Sequence, residues 1–129
     1  MGFLKERKRA KELEETYNLI VDFKNRTKDL DLSKTNPQNV YDESESLLQR
    51  IASAKQIVQE DLNKAMAIVM GGWFATRDAL LYECDIHKKR YAILERDESY
   101  INALKNRMLE SGAKKQQPVQ EENVPERGQ

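Results

Sequence analysis

With 129 residues, 34% of them charged, and only five glycines and three prolines, the chain has the size of one domain and a composition typical of long helices and coiled coils. Its 22 basic residues are matched by 22 acidic ones, which excludes a global field drawing it to nucleic acid or to an anionic membrane. The single cysteine, Cys84, excludes an internal disulfide framework, and no apolar run approaches the roughly 20 residues a membrane-spanning helix needs.

Charges from Lys5 onward, with no hydrophobic stretch after them, do not make a secretory signal. Glu6 stands where a myristoylation motif needs Ser or Thr. The expectation is a cytoplasmic chain.

The first segment, residues 3–30, places Ala10, Leu13, Tyr17, Ile20 and Phe23 or Lys24 at steps of three and four, which predicts one amphipathic helix. "DLDLSKTNPQNV" breaks the pattern. Asn36-Pro37 reads as a helix start, since the missing N–H of Pro37 costs nothing at the first helical position. Thr35 with Gln38 is a competing capping-box reading. A second helix over 37–70 follows, its stripe running Val40, Leu47, Ile51, Ala54, Val58, Leu62, Ala65 and Val69 at a period near 3.5, which favours coiled-coil-like packing.

Gly71-Gly72 then interrupts the chain. A continuous helix through both would cost about 1 kcal/mol per glycine relative to alanine and extend on the order of 110 Å. A left-handed residue closing the second helix needs only a glycine, so the pair predicts a hairpin turn. A third helix over 73–111 carries Trp73, Leu80, Cys84, His87, Tyr91, Leu94, Ile101 and Met108, and Gly112 ends it. Residues 113–129 contain no aromatic side chain and read as a disordered tail. The expected fold is all-α: a bundle over 1–112 of three long antiparallel helices, coiled-coil-like, plus that tail.

A hairpin turn normally faces water and is polar. This one is flanked by Met66, Ile68, Val69, Met70, Trp73 and Phe74, which cover nearly all directions around the helix ends. A first helix running back along the second brings Phe3 and Leu4 to the same end. Lys5, Arg7, Lys8, Arg9 and Lys11 follow with Glu6 as the only acid, a local charge of five minus one, or +4. An apolar patch with a basic rim marks a contact with a protein or with an anionic membrane surface.

Chemistry has weaker signals. Cys84 and His87 share a helical face at the spacing of two metal ligands, but no second Cys or His exists to complete a closed site. Cys84 falls on the apolar stripe, where a thiol packs as a small hydrophobe. "MGG" is not followed by the Lys-Ser/Thr of a phosphate loop, and "HKKR" at 87–90 sits on a mixed-charge helix. Tyr17, Tyr82, Tyr91 and Tyr100 read as the edge of a core. The expectation is a non-enzymatic interaction or scaffold protein without metal or cofactor. It would bind a protein partner or its own copy through Phe3, Leu4, Met66, Val69, Met70, Trp73 and Phe74. The alternative is a peripheral membrane protein docking by the same end; nucleic acid is not an expected partner.

Overall fold

The computed structural model describes residues 2–72 and 77–115, with side chains from Leu4 onward. In chain order come α1 (Gly2–Thr27), a 3-10 turn (Leu32–Lys34), α2 (Pro37–Met70) and α3 (Arg77–Glu110), and the described residues contain no strand. The expected all-α bundle of three helices is the fold.

The first helix stops at Thr27, three residues short of the expected boundary. Beyond it, short polar side chains bond the backbone in non-helical conformations. The Asp31 carboxylate accepts from the N–H and the hydroxyl of Ser33 at 3.0 and 2.7 Å, and the Thr35 hydroxyl donates to the Asp31 carbonyl at 2.6 Å. Thr35 is thus committed to the 3-10 turn, and Asn36 caps α2, its side-chain oxygen accepting from the Gln38 N–H at 2.9 Å. Pro37 follows at the first helical position, as its missing donor allows.

Cross-links fix the direction of each helix. Lys55 reaches Glu98 at 3.0 Å and Lys105 reaches Glu45 at 2.8 Å, so α2 and α3 run antiparallel and the chain reverses between Met70 and Arg77. The glycine pair therefore belongs to a turn and not to a kink. Gly72, at φ +86°, holds the left-handed conformation that ends α2, and its N–H returns to the Val69 carbonyl at 3.2 Å. Arg9 to Asp61 and Arg26 to Glu43 make α1 antiparallel to α2. Lys24 to Asp97 and Thr27 to Tyr100 then make α1 parallel to α3, at a constant offset of 73 residues. The α2–α3 pair packs closely along its length, and α1 lies on it less intimately.

The core joins Ile20 and Phe23 of α1, Ile51 and Val58 of α2, and Leu94, Ile101 and Met108 of α3, all fully buried. Each such side chain contributes roughly 1.5–3 kcal/mol relative to exposure. On α1 the buried row is Leu13, Thr16, Ile20, Phe23 and Thr27, an alternation of three and four; Ala10, expected on the stripe, is exposed. Packing also continues past Gly112. The Ala113 N–H bonds the Met108 carbonyl at 2.9 Å and the Gly112 N–H bonds that of Leu109 at 3.2 Å, which closes α3 in a Schellman motif with Ala113 buried. Lys114 then exchanges two hydrogen bonds with Gln38, tying the end of α3 to the start of α2. The tail expected from residue 113 thus begins with an ordered pair, and residues 116–129 lie outside the described residues.

Candidate interaction surface at the hairpin end

The core row of α1 changes character towards its N-terminus. Four residues before Leu13 stands Arg9, and three before that Glu6, both charged. Arg9 occupies its row position by leaving the apolar seam: its guanidinium donates to Glu60 and Asp61, each at 2.8 Å, and to the Ile57 carbonyl at 3.3 Å. Those bonds hold the Arg9 guanidinium above its ordinary pKa and the Glu60 carboxyl below its own. Glu6 faces Lys64 at 3.8 Å. The first turns of α1 are thus held to α2 by ions and not by apolar packing.

The consequence appears on the hairpin. Near its end a separate small cluster forms from Leu62, Ala65 and Cys84, with Leu80 against it, and among the described residues none of its members comes from α1. Around it Met66, Ile68 and Met70 of α2 and Leu81 and Tyr82 of α3 stand exposed, Met70 at 82% and Tyr82 at 68%. Leu4 of α1 is 67% exposed at the same end. Ile68 follows Met66 by about 200° of helix turn, so these exposed side chains surround the end of the hairpin instead of forming one face.

The residues expected at this surface fall into three groups. Leu4, Met66 and Met70 are exposed there, and Val69 is half-buried beside them. Trp73, Phe74 and the side chain of Phe3 lie outside the described residues. The expected basic rim is corrected at one position: Arg9 is a clamp between α1 and α2 because two carboxylates of α2 face it. Lys5, Lys8 and Lys11 remain exposed, and Lys8 and Lys11 border an open groove with Glu12, Glu15 and Arg50. Arg7 is exposed on the same helix.

Ile68, expected among the apolar residues flanking the turn, is exposed, whereas sequence reasoning missed Leu81 as a surface residue and misplaced Tyr82. Tyr17, Tyr91 and Tyr100 do edge the core, but Tyr82 does not. It lies two residues before buried Cys84, which on a helix turns it about 200° away from the core. That spacing was present in the sequence. Around Tyr82, Asp78 and Asp85 are also exposed, together with Arg77, Lys88 and Lys89, so the start of α3 carries both charge signs.

Cys84 is buried among Leu62, Ala65 and Leu80, and the described residues contain no group of three His, Cys, Asp or Glu side chains able to hold a metal. The half-buried His87 keeps a buried Nδ1 without a protein partner. No helix among the described residues is long and apolar enough to cross a membrane.

Fold and surface together define a three-helix antiparallel bundle with an exposed apolar end. Comparison with known proteins finds no family model, no curated protein and no solved structure that matches this chain.

Proposed function

We propose that the chain is a non-enzymatic helical interaction protein that binds a protein partner through its hairpin end. The observation carrying this reading is that Leu4, Met66, Ile68, Met70, Leu81 and Tyr82, all exposed, lie at one end of the bundle beside the small cluster of Leu62, Ala65 and Cys84. Trp73 and Phe74 add two aromatic residues to the same stretch of sequence, and aromatic side chains are the usual anchors of protein contacts. The alternation of three and four in the buried rows supports coiled-coil-like packing and a scaffold role. A cytoplasmic setting fits the one unpaired cysteine.

A membrane surface is the less favoured occupant. Juxtamembrane cations contribute about 1 kcal/mol each against anionic lipid, but Arg9 is committed to Glu60 and Asp61, and exposed Asp78 and Asp85 at the same end would be repelled.

The test is a photo-crosslinking side chain placed at Met70 or Tyr82, with exposed Gln49 as the control position. Discrete protein adducts are expected from the first two and not from the third, and Trp73→Ser/Phe74→Ser should abolish them without lowering the helical melt. Absence of any adduct at the hairpin end overturns the reading. So does a melt lowered by the 3–5 kcal/mol per residue, roughly, that loss of core aromatics costs. A blue shift of Trp73 fluorescence with anionic vesicles would assign the end to a bilayer instead.

A further inference from the structure

We propose that the first turns of α1 are an autoinhibitory strap closed by Arg9, and that a partner's arginine takes the place of Arg9 on α2; the inference rests on the reading of the chain as a protein-binding bundle. The carrying observation is that Arg9 is the one residue between Leu4 and Glu12 that is not exposed. No side chain of residues 4–12 joins either apolar cluster, and the apolar row of α1 begins at Leu13. The pair of Glu6 with Lys64 is long, at 3.8 Å, and exposed on both sides, where ion pairs contribute little. Residues 4–12 are thus fastened to α2 chiefly through one guanidinium, while Leu13, Ile20 and Phe23 keep the rest of α1 docked.

The place that Arg9 fills suits a guanidinium from any source. Glu60 and Asp61 each accept one bond at 2.8 Å and the Ile57 carbonyl accepts a third at 3.3 Å. Such a fork matches a planar, many-donor cation better than the point charge of a lysine. Arg9 fills it imperfectly, because its Nε is buried without a partner. An arginine free of the α1 backbone can keep that donor in water. Both carboxylates stay partly exposed beside Arg9, so an incoming side chain can reach them. Exposed Ile68 follows Asp61 by two helical turns on the same row of α2. The partner that fits is a helix with an arginine and, two turns away, an apolar side chain. The arginine displaces Arg9 and the apolar side chain covers Ile68.

The probe is an alanine- and glutamine-based helical peptide with one arginine and one leucine two turns apart. Titrated into the Arg9→Ala chain, it should move the backbone NMR signals of Glu60, Asp61 and Ile68 saturably. Wild type should bind it roughly fivefold more weakly, the advantage that a partly exposed ion pair gives the resident Arg9. The same peptide with lysine for arginine should saturate neither chain. Added to wild type, the arginine peptide should speed hydrogen exchange over residues 5–12 and leave residues 13–27 unchanged, as only a displaced strap would. Equal binding of the two peptides overturns the proposal, and so does binding to wild type that leaves exchange over residues 5–12 unmoved. An Arg9→Ala chain that keeps its α2 and α3 signals and does not respond overturns it as well. If Arg9→Ala loosens all of α1, the wild-type exchange decides instead: acceleration by the peptide supports the strap and its absence refutes it. None of these readouts uses crosslinks at Met70 or Tyr82, so failure of those crosslinks overturns the hairpin-end surface alone.

Discussion

Lys24 Nζ lies 2.8 Å from the Asp97 carboxylate, and this bond joins α1 to α3 from a position inside the core row of α3. Asp97 is buried between Leu94 and Ile101, each fully buried, so a carboxylate stands in the buried row of α3 where the neighbouring positions are apolar. Lys24 also lies over the Tyr100 ring, and the Tyr100 hydroxyl meets that of Thr27 at 2.8 Å. The α1–α3 contact thus includes a buried carboxylate paired with Lys24, whereas the ion pairs of the α2–α3 contact, Lys55–Glu98 and Lys105–Glu45, join partly exposed side chains.

Removing only Lys24 should be worse than removing both partners. Lys24→Met leaves a buried carboxylate unpaired and is expected to cost up to about 3 kcal/mol, below the full range for a completely buried pair because Lys24 is partly exposed. Lys24→Met/Asp97→Leu should recover most of that loss. A denaturant melt of the two single variants and the double variant measures the coupling, and strict additivity would show that the bond contributes nothing.

Thr16 is fully buried and its hydroxyl has no hydrogen-bond partner within the protein. An unpaired buried hydroxyl costs on the order of 1–3 kcal/mol. Thr16→Val should therefore raise stability by about 1 kcal/mol, visible as a shift of several degrees in Tm. A loss of stability would mean that a buried water serves the hydroxyl.

Arg9 should matter locally. Arg9→Met removes three hydrogen bonds to α2 at the partly exposed start of α1, an effect of about 1 kcal/mol. Hydrogen exchange should speed up over residues 4–12 and remain slow over residues 13–27, where apolar packing takes over. Uniform acceleration along α1 would show that the helix opens as one unit.

Gly71 and Gly72 should respond differently to alanine. Gly72 has φ +86°, where a Cβ costs roughly 1–2 kcal/mol, although nothing lies within 4 Å to clash with it. Gly71 has φ −76°, a conformation alanine adopts freely, and its Cβ would meet only backbone carbonyls, that of Ile68 at 3.3 Å being the nearest. Gly72→Ala should be the more destabilising of the two in a thermal melt. Equal effects would remove the left-handed closure as the reason for the pair.

Stability should fall on the acid side. Lys105 holds the Glu45 carboxyl below its ordinary value of 4.5, Arg9 does the same for Glu60, and Ser33 lowers Asp31. Because these folded pKa values lie below the unfolded ones, their contribution is complete above about pH 4.5 and is lost as pH falls through the lower folded values. At the other extreme, Lys55 is raised by Glu98, and Tyr17 and Tyr41 are raised by burial, so stability is also lost as pH climbs past about 10. Tm measured from pH 3 to 8 should be flat above about 6 and drop below about 4.5, and Glu45→Gln should make the drop shallower.

The helices, the Asn36-Pro37 start, the glycine turn and the apolar character of the hairpin end were all legible in the order of the residues. They rest on local rules: a period near 3.5, a capping side chain, a proline without a donor, a glycine where φ must be positive. Most of the apolar core was legible for the same reason, since Ile20, Phe23, Ile51, Val58, Leu94, Ile101 and Met108 fall on simple stripes. The fate of the polar side chains was not legible, because it depends on how three helices meet. Thr16, Ser44 and Asp97 are buried because their rows pass through the interior, whatever their chemistry. Arg9 leaves the rim because Glu60 and Asp61 stand opposite it on α2, a relation between residues 51 and 52 positions apart. The outward position of Tyr82 follows from its two-residue spacing to Cys84, but the burial of Ala113 was decided by the closure of α3, which returns its N–H to the Met108 carbonyl.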